Sequence, residues 1–215
     1  MWFKSHDLSP AARKRVTEAV TAAEKNTAGE IVVVAARMSS DHVHVPLHIA
    51  TGVALAVPLI TPFVDFFSYF EEVSIFAIFF VQLAVFIAVA LLFSIPALRY
   101  FVTPKRLLRK HSHQLAATQY LASNIVATQG RTGVLIFVSL FERYVEVIGD
   151  QAISSKLKPG DWDKIVKEML PLLRDKRTPD ALVLAVERCG AWLAKHFPPG
   201  DKNPNELSDQ FIVLE

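Results

Sequence analysis

Apolar residues follow two kinds of pattern outside the middle of this chain. They recur every three to four positions over residues 10–27, 107–128, 162–174 and 179–196, which predicts four amphipathic helices. A continuous apolar run rich in β-branched residues covers 31–36, and two mainly apolar stretches cover 134–139 and 144–148, which predicts three short strands. The order of elements is therefore typical of an α/β domain.

A third pattern lies between the first strand and the second helix. Residues 45–64 and 73–98 form two long uncharged segments, and the second has no polar face at helical spacing. A helix over 45–64 spans about 30 Å at about 1.5 Å per residue, enough to cross the apolar part of a bilayer. The alternative is a pair of buried core helices in a soluble protein, and the prolines of the first segment make its assignment the weaker one. The pattern favours a transmembrane helical hairpin.

Charge around the two segments predicts their orientation. The connecting residues 65–72 contain three acidic and four aromatic residues and no Lys or Arg. Five basic residues follow the second segment closely: Arg99, Lys105, Arg106, Arg109 and Lys110. Because basic residues remain on the cytoplasmic side, we expect both termini in the cytoplasm and the connecting loop outside, in an inner (plasma) membrane.

Together these patterns predict a small α/β/α sandwich with the hairpin inserted after the first strand. Residues 1–44 and 99–197 would form a cytoplasmic domain, 45–98 the hairpin, and 198–215 a flexible tail. The first two strands, joined through a helix, are expected to be parallel. The last two, joined by four residues, are expected to be antiparallel.

Composition agrees with a modest domain attached to a membrane. The chain is 52% hydrophobic, with mean hydropathy +0.31, while its net charge is only +2. Basic residues are interspersed with acidic ones except beside the second apolar segment, so we expect the lipid bilayer rather than a nucleic acid as partner. The single cysteine, Cys189, falls on the apolar side of a predicted helix, which indicates a buried, reduced thiol.

Histidines are concentrated beside the apolar segments. His42 and His44 precede the first segment, and His111 and His113 follow the second. Together with Asp41 they would suit zinc or another divalent metal, the one cofactor that the sequence suggests. Residues two apart in a helix point away from each other, so solvated interfacial histidines are the alternative. The common catalytic signatures, such as a P-loop or H-E-x-x-H, are absent from the sequence.

A second group of candidates comes from the predicted topology. Arg37 and Asp41 follow the first strand, and Glu142 and Arg143 follow the second. Ligands favour the carboxyl ends of parallel strands, so these side chains would bind a phosphate, an ion or a partner. An ordinary solvated rim with ion pairs is the alternative.

Several segments resemble the TPM domain family. These are Leu8-Ser-Pro-Ala, the strand after Gly29, the run from Arg131 to Val138, and the hairpin ending in Tyr144-Val-Glu-Val-Ile-Gly-Asp150. Over about residues 6–197 the chain is similar to a bacterial two-pass membrane branch of this family, in which a transmembrane hairpin interrupts the domain after its first strand. The turn Phe141-Glu-Arg143 departs from the Asn-Asp type turn of soluble members, and only Gly149 carries over.

The resemblance implies the fold more firmly than a reaction, since the wider family includes weak acid phosphatases and auxiliary proteins of membrane complexes. We expect a non-enzymatic membrane protein that binds or regulates a membrane-protein partner through its cytoplasmic domain. The alternative is a weak metal-dependent acid phosphatase using Asp41, Glu142 or Asp150. A third hypothesis, a homo-oligomeric channel or transporter subunit, has only Gln82, Thr51 and Thr61 as polar residues inside the bilayer.

Overall fold

A computed structural model of the chain describes residues 9–42, 44–67, 74–128, 130–200, 206–207 and 211–214, with only the backbone for 61–67. Its contacts divide the chain into two units. The α/β unit comprises Met1–Ser39 and Arg109–Glu215, and the helical unit comprises Ser40–Leu108. The sequence predicted unit boundaries at 44/45 and 98/99, a few residues from those of the structure. Hydropathy shows where the chain becomes apolar, whereas the units are defined by which residues pack together.

The α/β unit is built around a four-stranded sheet. Its strands are β1 (Glu30–Ala36), β2 (Gly133–Ser139), β3 (Tyr144–Gly149) and β4 (Phe211–Leu214), in the order β3-β2-β1-β4. β1 is parallel to β2 and to β4, whereas β3 is antiparallel to β2. The predicted parallel and antiparallel pairs are therefore confirmed. Every residue of β1 and β2 is buried, as their continuous apolar runs indicate.

β4 corrects the expectation of a flexible tail over 198–215. Phe211 lies opposite Val33 of β1, and the N–H of Arg37 donates to the carbonyl of Leu214 at 3.0 Å. The side chain of Phe211 packs with the core. β4 also covers an edge of β1 whose backbone groups would otherwise be unpaired. Of the predicted tail, residues 201–205, 208–210 and 215 lie outside the described residues.

Helices cover both faces of the sheet. The helices are α1 (Pro10–Glu24), α5 (Lys105–Ala122), α6 (Gln151–Ser154), α7 (Asp161–Arg174) and α8 (Thr178–His196), with a short 3₁₀ helix at Ile125–Ala127. Ile31 and Val33 pack on the side of α1, α7 and α8, whereas Val32 and Val34 pack with Ala116 of α5. This alternation along β1 produces the predicted α/β/α sandwich.

Capping residues explain where α1 and α7 begin. The Ser9 hydroxyl accepts a hydrogen bond from the N–H of Ala12 at 3.2 Å, and Pro10 occupies the first position of α1. The N-cap of α7 is Gly160, whose φ of 87° favours glycine. Asp161 is the first helical residue, and its carboxylate accepts from the N–H of Lys158.

The helical unit contains α2 (His44–Phe67), α3 (Ile75–Leu92) and α4 (Pro96–Val102). α2 and α3 pack on each other. The predicted second span, 73–98, is divided, because Pro96 begins α4 and its ring cannot follow Leu92 within one continuous helix. Among the described residues one helix, α3, is long and apolar enough to cross a membrane, with mean hydropathy 2.9, and α2 contains a shorter apolar stretch, His44–Ile60.

Candidate functional site

The residues predicted at the carboxyl edge of the sheet belong to two different units. Arg37, Glu142 and Arg143 belong to the α/β unit, whereas Asp41 belongs to the helical unit. The guanidinium of Arg99 donates to the backbone carbonyl of Asp41 at 2.8 Å. Arg37 and Arg143 are exposed, and Arg143 has φ 54° in the turn between β2 and β3.

Glu142 is instead buried in a network of serine hydroxyls. Its carboxylate accepts from the N–H of Ser39 at 2.9 Å and from the hydroxyl of Ser139. The Ser39 hydroxyl lies 2.8 Å from that of Ser139 and 3.2 Å from that of Ser112. Ser112 and Ser139 are fully buried. This network joins the loop after β1, the β2–β3 turn and α5, and its burial suits a structural role better than contact with a substrate.

The four predicted metal ligands have different surroundings. His42 is buried with φ 47°, His44 begins α2, and His111 is half-buried on α5. His113 contacts the carboxylate of Glu146. Within the described ranges no group of three or more His, Cys, Asp or Glu residues is arranged to hold a metal ion, so the metal site remains only a prediction from the sequence.

The histidine–carboxylate contact is part of a polar surface formed by side chains of α5 and of the edge strand β3. His113 Nδ1 lies 2.9 Å and 3.1 Å from the two carboxylate oxygens of Glu146. The hydroxyl of Tyr144 donates to Glu146 Oε2 at 2.9 Å. Burial raises the pKa of Tyr144, and the hydrogen bond to Glu146 raises it further. Glu146 therefore accepts from a helix residue and a strand residue together.

The same surface continues to the end of β3. Burial raises the pKa of Tyr120 to about 12, assisted by its hydrogen bond to Asp150. Asp150 is buried, and its Oδ2 lies 3.2 Å from Nε of Arg131. Its Oδ1 accepts a hydrogen bond from the N–H of Gln151 at 2.6 Å, so Asp150 caps the N-terminus of α6. We call these six residues the α5–β3 surface: His113, Tyr120, Arg131, Tyr144, Glu146 and Asp150.

The sequence does contain a signal for the α5–β3 surface. Tyr144, Glu146 and Asp150 are separated by even numbers of residues and so share one face of an extended strand. His113 and Tyr120 are seven residues apart, two helical turns on one face of α5. Chemically the surface presents neutral phenols paired with carboxylates at neutral pH, which suits hydrogen-bonded recognition better than attack by an ionised tyrosine.

Cys189 lies away from this surface, inside α8. It is free and fully buried, as the apolar stripe of the helix indicated. Burial raises the pKa of its thiol, so the thiolate needed for nucleophilic chemistry is disfavoured.

The helical unit offers a different kind of site, an apolar cleft of about 260 Å³ between α2 and α3. Thr51 and Leu55 of α2 and Phe79 and Gln82 of α3 are among its lining residues. Large side chains along α3 are exposed, including Phe76, Phe80 and Leu91. The cleft thus combines apolar walls with one side-chain amide.

Comparison with known proteins supports the expected domain. A protein-family model described as the TPM domain matches residues 100–191, a range that includes β2, β3 and α7. The chain is therefore similar to the TPM domain over a shorter stretch than the expected 6–197, and the membrane-branch resemblance stays a hypothesis. No curated protein matches the sequence significantly.

A solved structure has a similar fold. The NMR structure of the BA42 protein from the psychrophilic bacterium Bizionia argentinensis aligns with a TM-score of 0.58 and 18% sequence identity, covering 99% of each chain. At this identity the likeness shows the mixed α/β fold alone.

Proposed function

We propose that this chain is a two-pass inner-membrane protein of a bacterium. In this proposal α2 and α3 anchor a cytoplasmic TPM domain, and that domain binds or regulates a membrane-protein partner without catalysing a reaction. The proposal joins the TPM match over residues 100–191 to the composition of the helical unit.

The observation that carries the proposal is the exposure of α3. None of its residues is buried, although its mean hydropathy is 2.9. Ile75, Phe76 and Phe80 expose 76%, 72% and 63% of their surface. An apolar helix without a polar face is unfavourable in water but stable in a bilayer, where lipid chains cover it.

Two further features support a second span. α2 has 24 residues, about 36 Å at about 1.5 Å per residue, and packs on α3. Its Pro46 lies in the first turn, where a missing N–H costs nothing, while Pro58 lies further in and is tolerated in membrane helices that pack on a neighbour. The excess of Lys and Arg after the second segment supports cytoplasmic termini.

A binding role is supported by the side chains of the α/β unit. Arg37 and Arg143 are exposed near the carboxyl ends of β1 and β2, where a partner can contact them. Glu142, the acid of the phosphatase alternative, is buried among serines. Access of a soluble phosphoester to that carboxylate would require rearrangement of the surrounding loops.

Membrane extraction tests the anchor. Wild-type protein should remain in membranes washed at alkaline pH and dissolve only in detergent. Val81→Arg, near the middle of α3, should weaken this retention, because a charge there costs about 3 kcal/mol. The control Leu121→Arg places the same charge on an exposed leucine of α5 and should leave retention unchanged. Recovery of the wild type as a soluble protein without detergent would overturn the anchor.

Site-specific photocrosslinking in native membranes tests the binding role. A crosslinker in place of Arg143 should capture a discrete membrane protein, and one in place of Lys25, exposed at the end of α1, serves as control. Charge reversal at Arg37 and Arg143 should weaken the capture without unfolding the domain. Metal-dependent turnover of a phosphomonoester that is abolished by Asp41→Asn or Glu142→Gln would instead establish the phosphatase.

A further inference from the structure

The cleft between α2 and α3 is lined by one side-chain amide, that of Gln82. The cleft has a volume of about 260 Å³, and Gln82 is its most polar lining residue. Within the described residues Gln82 has no hydrogen-bond partner. Its amide carries two N–H donors and one oxygen acceptor.

Hydroxyl side chains in α2 and just after α3 differ from Gln82. Thr51, which also lines the cleft, donates to the carbonyl of Leu47 at 2.9 Å. Ser94, just after α3, donates to the carbonyl of Ala90 at 3.1 Å. Such bonds to the preceding turn satisfy these donors inside an apolar medium. Gln82 therefore differs from both residues in needing a partner from outside its own helix.

The position of Gln82 along α3 raises the energetic cost of leaving its amide without a hydrogen-bond partner. α3 has 18 residues, and Gln82 is the eighth, so the amide lies within about 3 Å of the helix midpoint at about 1.5 Å per residue. If α3 spans the bilayer, this is the depth where lipid offers no hydrogen bonds and where an unpaired polar group costs most.

We propose that the α2–α3 cleft is a homodimer interface, in which the Gln82 amides of two copies hydrogen-bond to each other. The inference rests on the proposed membrane insertion. Two copies with the same topology are related by a twofold axis along the membrane normal, so both Gln82 residues lie at the same depth without any shift. A side-chain amide is self-complementary, because each donates an N–H to the oxygen of the other.

Other occupants fit the cleft less well. A lipid chain can contact Phe79 and Leu55 but cannot donate to or accept from an amide. A different membrane protein would need a polar side chain at the same depth, a condition that a second copy meets automatically. The exposed apolar side chains of α3 supply the packing surface around the amide pair.

Energy transfer between labelled copies of the full chain in phosphatidylcholine vesicles tests the interface. The wild type should dimerise as the protein-to-lipid ratio rises. Gln82→Leu should raise the dimer dissociation constant about 3- to 20-fold, the loss expected for interhelical hydrogen bonds in a membrane. It makes α3 more apolar and so preserves insertion. Gln82→Asn, which keeps an amide, should retain part of the affinity.

The matched control is Gln114→Leu, the same change at an exposed position of α5, and it should leave the dissociation constant unchanged. Alkaline extraction of the same vesicles separates the two hypotheses. Inserted but monomeric wild type, or a Gln82→Leu variant that dimerises as the wild type does, overturns the dimer and leaves the anchor standing. If monomeric wild type captures a different protein at Gln82, the dimer is likewise overturned and the anchor stands. Wild type that fails to insert overturns the anchor and the dimer together.

Discussion

His113 of α5 and Glu146 of β3 contact each other across the edge of the sheet, with Nδ1 of His113 2.9 Å from Oε1 of Glu146. Tyr144 donates to the other carboxylate oxygen. The contact connects a helix to an edge strand, the two elements that form the α5–β3 surface. Within this group Glu146 has two partners and His113 has one, so we expect the two residues to contribute differently to the stability of the fold.

Alanine substitutions should reveal this difference. The side chain of His113 is 61% exposed, so His113→Ala should lower the free energy of unfolding by less than about 1 kcal/mol. Glu146→Ala should cost more, about 1–2 kcal/mol, because it also leaves the half-buried Tyr144 hydroxyl without its acceptor. Urea unfolding in mild detergent, followed by tryptophan fluorescence, measures both. A larger loss for His113→Ala would show that Glu146 is not the shared acceptor.

Alkaline pH should weaken the fold through Tyr120. Its pKa in the folded protein is about 12, above its ordinary value of 10.0, so the folded state holds the proton more tightly than the unfolded state. The stabilisation is complete below pH 10 and is lost as pH rises towards 12. Tyr120→Phe should make this alkaline loss of stability shallower and remove a late-titrating component from tyrosinate absorbance at 295 nm. An unchanged absorbance titration would contradict the assigned hydrogen bond to Asp150.

The sheet could largely be predicted from sequence, because local pattern and tertiary environment agree there. Residues 31–36 are apolar on both faces, and the structure buries both faces of β1. The four-residue turn after Ser139 left no choice but an antiparallel pair. β4 was missed because four apolar residues carry little periodic signal and its pairing with β1 is remote in sequence.

Missed features elsewhere have similar causes. Pro96 was a helix-break signal, but the apolar composition around it favoured a single long span. Glu142 was placed correctly at the end of β2 but expected to face a ligand, since nothing in the sequence shows that the hydroxyls of Ser39 and Ser112 lie beside it. The contact between His113 and Glu146 depends on the position of α5 relative to β3, which the periodicity within either element does not define.

Val33 tests the central position of β1. It is fully buried and lies opposite Ile136 on one side and Phe211 on the other. Val33→Asp should bury an unpaired carboxylate and cost several kcal/mol, enough to unfold a marginally stable domain. Ala11→Asp, at an exposed position in the first turn of α1, is the control. Limited proteolysis measures the difference, and wild-type resistance of Val33→Asp would show that β1 is not central.

Phe211 tests whether β4 belongs to the core. Its side chain packs with the cluster that contains Val33, so Phe211→Ala should lower the free energy of unfolding by about 3 kcal/mol. Pro199→Ala, in the exposed stretch after α8, should change it by less than about 0.5 kcal/mol. Equal denaturation midpoints for the two variants would show that β4 does not contribute to the core and that 198–215 behaves as a tail.

The last prediction concerns the direction of insertion. The connecting residues 65–72 contain three acidic residues and no Lys or Arg, whereas five basic residues lie between Arg99 and Lys110. Because translocation of Lys and Arg is disfavoured, a reporter fused after Glu215 should be active only as a cytoplasmic fusion. A reporter inserted near Ser68 should be active only outside. Replacing Lys105, Arg106, Arg109 and Lys110 by glutamine should reduce this preference, since it removes most of the charge that retains the second segment's end. The opposite pattern of reporter activity in the wild type would reverse the topology and place the α/β unit outside the cytoplasm.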